Sequence, residues 1–283
     1  MAIAFPPPLP LLLGLLVSVA ACPAMARSSN DAAPARKYEG VLPVELHLGQ
    51  VELVVESVRT DAMAAGGGVL GVMIATGLDN AAAKKDEVRV GPIRDVMLGV
   101  DLNTRFTQAL VSGLDAPALA ESLAFEVHPE SRRARQLRIA LPSRERVLDL
   151  DLQYALTPGF RSLRVSANAL LGVRTVDRKI LRPKGHRLFR VEYLVPLPGD
   201  EKGLKEDQRA ALWASLGQEK IVSLVESGIA EVVAMLNYWL PEPGHFPADA
   251  PRARYDLGAG RLVRERDGMR WIRVSKGLLV ATP

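Results

Sequence analysis

An alternation of apolar and polar residues between positions 147 and 173 constrains the fold more than any other feature of this chain. A period of two places successive side chains on opposite faces of a β-strand, one of which is buried. Thr157-Pro158-Gly159-Phe160 divides the alternation, and a central Pro-Gly pair is typical of a tight turn. The pattern therefore predicts an antiparallel hairpin. Its apolar positions are Leu148, Leu150, Leu152, Tyr154, Leu156, Leu163, Val165, Ala167, Ala169 and Leu171.

Shorter patterns predict the remaining elements. The predicted strands are 50–58, 121–127, 186–195 and a second hairpin around Asp267-Gly268. The predicted helices are 93–114, with a break near Gly99, and 206–240, ended by Pro241. Because hairpins outnumber alternations of strand and helix, we predict an α+β fold: an antiparallel sheet with helices packed on one face, plus a C-terminal hairpin.

The order of these patterns also predicts the domain organisation. At 48% hydrophobic and 24% charged, the chain of 283 residues has enough apolar side chains for a core. The predicted segments are a signal peptide at 1–26, a flexible tether at 27–37, an α+β domain at 38–241, and a proline-rich loop with the C-terminal hairpin at 242–283, packed on the same domain.

The N-terminus predicts export. Residues 9–21 form an uncharged apolar run that suits a signal-peptide core better than a full membrane span, although no Lys or Arg precedes it. Two processing sites compete. Cleavage after Ala26 would follow an Ala-x-Ala site, whereas the residues before Cys22 resemble a lipoprotein box with Cys22 as the lipid acceptor. We therefore expect a protein of the periplasm or one anchored in the cell envelope.

The glycine-rich segment 62–78 has three interpretations. Gly66, Gly68 and Gly71 match a dinucleotide-binding fingerprint, but the predicted strand ends too early for that motif. A stripe of small residues could instead insert into a membrane, for which the segment is short. We favour a helix whose small-residue face packs tightly against a neighbouring element.

Charge is unevenly distributed along the chain. With 36 Lys and Arg against 32 Asp and Glu, the net charge of +4 is too small for a dedicated nucleic-acid binder. Residues 131–190, however, contain 15 basic and 4 acidic residues. A basic face there would attract anionic lipid headgroups, and the candidate contact residues are Arg132, Arg133, Arg135, Arg138 and Arg164. The alternative is that these arginines pair with acidic residues of the helices.

No catalytic motif is present. The histidines His47, His128, His186 and His245 lack metal-ligand spacing, and a single cysteine excludes an intramolecular disulfide and a cysteine-based cluster. We therefore expect no catalytic residue, metal or cofactor. Asp149 and Asp151 project from one strand face, which we interpret as solvated. An enzyme of unfamiliar type would need these carboxylates to converge with a residue such as His186.

Several segments together resemble a group of uncharacterised bacterial exported proteins and candidate lipoproteins. They are AAGGGVLGVMIATGLDNAAAKKDE, LDLQYALTPGFRSLRVSANALL, IAEVVAMLNYWL and SKGLLVATP. The resemblance implies an envelope location without an activity. Element order is also similar to the amino-terminal domain of TolB and related periplasmic modules, an analogy of fold alone.

We therefore expect a non-enzymatic protein of the bacterial cell envelope that acts through contacts with an anionic lipid surface or with envelope proteins, and not with nucleic acid. The alternatives are an uncharacterised periplasmic enzyme, or a protein inserted in the membrane through residues 62–78. The sequence sets no oligomeric state.

Overall fold

Ten strands form one mixed sheet in the part of the chain that the computed structural model describes. That part comprises residues 37–50, 52–56, 77–132, 134–135, 144–174, 187–201, 203–241, 249–255, 257–275 and 277–283. The strands are β1 (Tyr38–His47), β2 (Val54–Val55), β3 (Ala120–His128), β4 (Arg144–Leu156), β5 (Ser162–Arg174), β6 (Arg187–Pro196), β7 (Arg252–Tyr255), β8 (Gly258–Arg266), β9 (Met269–Ser275) and β10 (Leu278–Thr282).

The strand order is β3-β1-β4-β5-β6-β10-β9-β8-β7, with β2 also paired to β4. The α+β class agrees with the prediction, but the expectation of an antiparallel sheet is wrong. Strand β1 runs parallel to both β3 and β4, and β10 runs parallel to β6. The physical reason is that β1 is inserted beside β4 and β10 beside β6, each from a distant part of the chain, and local alternation carries no information about such neighbours.

The hairpin itself is present. Strands β4 and β5 pair antiparallel with Leu156 opposite Leu163, and the turn between them is a short 3-10 helix at Pro158–Phe160. Gly159 has a φ of 74° and Phe160 a φ of 61°. Trp213 fixes this strained turn, because its indole N–H donates a hydrogen bond of 2.8 Å to the Phe160 carbonyl.

Strand β1 lies earlier in the chain than the predicted strand 50–58, in which β2 is the strand among the described residues. The chain leaves β4 after His47 and rejoins it at Val54. In between, the Gln50 side chain takes over the pairing, since its amide oxygen accepts the Tyr154 N–H at 3.2 Å and its amide nitrogen donates to the Tyr154 carbonyl.

Five helices are described: α1 (Gly77–Val96), α2 (Leu102–Gly113), α3 (Ala116–Leu119), α4 (Glu206–Ser215) and α5 (Gly217–Trp239). The predicted helix 93–114 is divided at Gly99, which has a φ of 80°. The predicted helix 206–240 is also divided, because Gly217, with a φ of 74°, turns the chain between α4 and α5.

The helices are not clearly packed on one face of the sheet, in contrast to the second part of the fold prediction. Helix α5 packs directly on β5 and β6, whereas α2 packs on α5, and α1 packs on α4 and β2. Helix α5 is long and apolar enough to cross a membrane, but half of its most apolar stretch is buried. Its buried side chains, including Val225 and Val232, belong to the main core.

The C-terminal hairpin is part of a larger unit. The turn at Asp267-Gly268 joins β8 and β9, and both residues have positive φ, as a two-residue hairpin turn requires. Strand β7 pairs with β8 on one side, and β10 inserts between β9 and β6 on the other. Residues 1–36, with Cys22 and Ala26, lie outside the described residues. So do residues 57–76, which contain most of the glycine-rich segment 62–78.

Candidate functional site

The sheet face opposite the apolar side chains of β4 carries a cluster of acidic and histidine residues. Three neighbouring parallel strands each contribute two residues separated by one position. We call this set the acid–histidine cluster: Glu45 and His47 on β1, Glu126 and His128 on β3, and Asp149 and Asp151 on β4.

Parallel register brings these six residues together. Glu45 lies opposite Glu126 on one side and Asp149 on the other, and His47 lies in the same way between His128 and Asp151. Residues in register on adjacent strands point to the same face, so the side chains form two rows of three. The centre of the cluster is closed, with Glu45 and His47 at 0% exposure and Asp149 at 1%. The expectation that Asp149 lies on a solvated face is therefore wrong.

Several ligand-type atoms approach one another inside the cluster. His47 Nε2 lies 3.5 Å from Asp149 Oδ1, and His128 Nε2 lies 3.7 Å from Glu45 Oε2. The two imidazole rings are 5.2 Å apart between centroids. One donor atom from each of Glu45, His47 and Asp149 lies within 4.8 Å of the others. The same holds for Glu45, Glu126 and His128.

His47 is the least satisfied residue of the cluster. Neither Nδ1 nor Nε2 has a hydrogen-bond partner, although the side chain is fully buried. Buried polar atoms in proteins are nearly always hydrogen-bonded, because removing them from water without a partner is costly. Two unmet nitrogens at the centre of a buried cluster therefore indicate a ligand position.

Two arginines enter the cluster from the segment that follows β3. A helical turn begins at Ser131, whose carbonyl accepts the Arg135 N–H at 3.0 Å. Arg135 Nη1 lies 2.7 Å from Glu45 Oε2, and Arg132 Nε lies 3.7 Å from Asp149 Oδ2. These guanidinium groups supply positive charge to carboxylates that would otherwise be buried together.

Burial and charge shift two pKa values at the edge of the cluster. Desolvation lowers the pKa of the His128 imidazole, and the positive charge of Arg135 lowers it further. Desolvation also raises the pKa of the Asp151 carboxyl, against the opposing effect of nearby cationic groups. Both shifts favour the neutral forms, which reduces the charge held in the closed space.

A second group of buried charges lies farther along the same face, which we call the arginine–glutamate network. Arg164 on β5 contacts Glu56 and lies 3.4 Å from Glu192 on β6, while Arg190 also contacts Glu192. Arg164 is only 5% exposed. Each of the two glutamates adjoins both arginines, so the network is largely neutralised internally.

The structure describes three of the five arginines that were predicted to contact an anionic surface, and each of the three lies beside a carboxylate. Arg132, Arg135 and Arg164 contact carboxylates on strands or next to them, whereas the sequence suggested partners on helices. Arg133 and Arg138 lie outside the described residues, as does His186. Among the described residues, Asp149 and Asp151 have His47 rather than His186 as their histidine neighbour.

The sequence did contain a signal for the acid–histidine cluster. Residues 45–47 read Glu-Leu-His, 126–128 read Glu-Val-His, and 149–151 read Asp-Leu-Asp. Each places two metal-ligand types on one face of a strand. The signal was missed because the histidines were compared with the spacings of helical or loop motifs, and these residues converge only when the three strands align.

A separate set of arginines lies on the C-terminal strands, and all of them except the half-buried Arg273 are exposed. Arg252 on β7 lies opposite Arg261 on β8, which lies opposite Arg273 on β9. Arg254 follows two positions along β7, and the Arg264 guanidinium lies 5.0 Å from the centre of the Trp271 ring. We call these five residues the arginine row. Arg252 and Arg254 are exposed and contact no carboxylate in the described part of the chain.

Two open surface depressions lie beside α2 and beside β8, and neither is lined by a residue of the acid–histidine cluster. Comparison of the chain with protein-family models, curated proteins and solved structures finds no match.

Proposed function

We propose that this protein is an exported, non-enzymatic component of the bacterial cell envelope that associates with anionic lipid headgroups through the arginine row. The observation that carries the proposal is the in-register alignment of Arg252, Arg261 and Arg273 across three strands. Export is supported by the apolar run at residues 9–21 and by the two processing sites that follow it.

An aligned row of arginines is unfavourable in an isolated sheet, because like charges directly opposite each other repel. Arg261 directs Nη1 to the Ala250 carbonyl at 2.8 Å, which leaves its charge uncompensated by that contact. Lipid phosphates would supply negative charge to the exposed Arg252 and Arg254, which contact no carboxylate among the described residues. Arg264, stacked on Trp271, adds a cation held in a fixed orientation at the same surface.

The contacts of the other arginines also support a surface-contact function for the arginine row. The arginines of the acid–histidine cluster and of the arginine–glutamate network are turned toward carboxylates. They are therefore engaged in the fold, whereas the arginine row faces outward at Arg252 and Arg254.

The strength of the interaction can be estimated from charge. A basic residue close to an anionic bilayer contributes about 1 kcal/mol, so removing two of them weakens binding roughly thirtyfold. The attraction acts over a Debye length of about 8 Å at physiological salt, and it decreases as salt is added.

The test is co-sedimentation of the mature protein with vesicles of phosphatidylglycerol and phosphatidylcholine, compared with vesicles of phosphatidylcholine alone. We expect binding only to the anionic vesicles, and a loss of about thirtyfold for Arg252→Gln/Arg254→Gln. The matched control is Lys84→Gln/Lys85→Gln, which removes the same charge from exposed positions of α1. Equal losses of vesicle binding in both double variants would show that net charge alone causes the binding. That result would reject the arginine row as the contact surface.

Location is tested separately. Cell fractionation with mass spectrometry of the mature N-terminus, for the wild type and Cys22→Ala, distinguishes an acylated Cys22 from a chain that begins at Arg27. Either product supports export. An unprocessed chain recovered from the cytoplasm would reject the envelope assignment.

A further inference from the structure

The acid–histidine cluster has the composition and the shape of a metal site. We propose that it binds one divalent transition-metal ion, with Glu45, His47 and Asp149 as the central ligands and His128 at the edge. Imidazole together with carboxylate is a donor set that suits zinc, iron and manganese. The site is independent of the arginine row, which lies on other strands.

The distance between His47 and Asp149 supports this assignment. At 3.5 Å, Nε2 and Oδ1 are within ion-pair distance, yet Nε2 has no hydrogen-bond partner. Two ligands that each lie about 2.1 Å from a tetrahedral ion are separated by about 3.4 Å. The two atoms are therefore spaced as neighbouring corners of a coordination shell.

The unmet nitrogens of His47 provide the second, independent argument. An imidazole that serves only to fill space in a core would be expected to donate or accept at least one hydrogen bond. His47 does neither while lying at 0% exposure next to two carboxylates. A metal ion would occupy the lone pair of Nε2 and draw the two carboxylates toward the same centre.

The strands make such a site rigid. Glu45 and His47 lie on β1, which is hydrogen-bonded to a parallel strand on each side, and Asp149 lies on β4 in register with Glu45. Ligands fixed on neighbouring strands need little reorganisation on binding. The closed surroundings indicate an ion that stabilises the fold, because a catalytic ion keeps a position open for substrate.

Arg135 and Arg132 compete with the ion for the carboxylates. Arg135 holds Glu45 Oε2 at 2.7 Å, so coordination through that oxygen requires the guanidinium to move. Arg135 side-chain exposure is 11%, and its segment follows the end of β3. Removing this charge should therefore strengthen metal binding, an effect opposite to that expected if the cluster is only a network of ion pairs.

The experiment uses the mature protein, stripped of metal with a chelator and titrated with Zn²⁺, Mn²⁺ and Co²⁺ by calorimetry. We expect one bound ion per chain and a Co²⁺ absorption spectrum with imidazole and oxygen ligands. Asp149→Asn and His47→Asn should each weaken binding more than about a hundredfold, since loss of an outer-shell partner alone costs 10–100-fold. Asp95→Asn, an exposed change of the same chemistry on α1, should leave binding unchanged.

Arg135→Gln gives the decisive result and does not remove a ligand. Binding about tenfold tighter than that of the wild type is expected, from the loss of one nearby positive charge. A wild-type chain that binds none of the three ions overturns the proposal, as does undiminished binding by both Asp149→Asn and His47→Asn. If those variants fail to fold, Arg135→Gln and the wild-type Co²⁺ spectrum still test the proposal. Tighter binding together with imidazole ligation supports the metal site, and the absence of both rejects the site.

Discussion

Replacing Gly228 by alanine tests how closely the long helix approaches the sheet. Gly228 lies on the buried side of α5, and a Cβ at this position would come 2.6 Å from Val165 Cγ2 and 3.0 Å from Val165 Cβ. It would also lie 3.2 Å from Tyr193 Cδ1. Val165 is fully buried and β-branched, so rotation about χ1 cannot remove a contact made by its own Cβ.

Two opposing effects set the magnitude. Alanine favours a helix over glycine by about 1 kcal/mol. Overpacking a closed core costs typically about 1–3 kcal/mol, and the 2.6 Å approach, far inside normal van der Waals contact, places this site near the upper end. The net loss in the free energy of unfolding should be about 2 kcal/mol. For a folded unit of this size, that lowers Tm by roughly 4–8 °C.

The assay is thermal and urea unfolding followed by circular dichroism. Ser227→Ala, one residue away on the exposed side of α5, is the matched control and should be neutral or slightly stabilising. In the Val165→Ala background, Gly228→Ala should lose much of its destabilising effect, because the Val165 Cγ2 atom that the new methyl group meets at 2.6 Å is gone. The contacts with the Cβ at position 165 and with Tyr193 Cδ1 remain. A Gly228→Ala protein that melts at or above the wild-type temperature would show that the close packing of α5 on β5 is wrong.

Three further changes test the interior. Trp213→Phe removes the hydrogen bond to the Phe160 carbonyl and should reduce the free energy of unfolding by about 1–3 kcal/mol in urea titrations. Arg164→Met leaves the buried carboxylates of Glu56 and Glu192 with one of their two shared cations, Arg190, and should cost about 3 kcal/mol, whereas Arg266→Met at the exposed hairpin should change stability by less than about 0.5 kcal/mol. Burial raises the pKa of Tyr154 to about 12, so its stabilising effect is complete below pH about 10 and is lost as the pH rises toward 12. The resulting decline of roughly 3 kcal/mol in the free energy of unfolding should be absent in Tyr154→Phe; an identical decline in that variant would assign the effect to other groups.

The central hairpin could be predicted from the sequence because the information that defines it is local. The alternation from Leu148 to Leu156 indicates which side chains share a face of the strand, and the Pro158-Gly159 pair indicates where the chain reverses. The break at Gly99 could be predicted for the same reason, since a glycine with positive φ interrupts a helix wherever the helix packs.

Periodicity does not say what lies next to a strand. The expectation of an antiparallel sheet was wrong because β1 and β10 join the predicted hairpin region from distant parts of the chain. The same reliance on periodicity led to the interpretation that Asp149 is solvated. Asp149 is buried because β1 and the segment carrying Arg132 lie against Asp149. Whether a polar face is open or covered depends on tertiary contacts that no single strand contains.

The sequence by itself places Glu45 two positions before His47, Glu126 two before His128, and Asp149 two before Asp151, a spacing that lies on one face of any strand. Each pair alone is an ordinary polar edge of a strand. Only the tertiary structure placed β1 between β3 and β4 in register, and this brought the six side chains into one cluster with a buried centre. The physical reason is that side-chain direction follows from the two-residue period of the backbone, whereas the choice and register of neighbouring strands depend on how the whole chain buries its apolar surface.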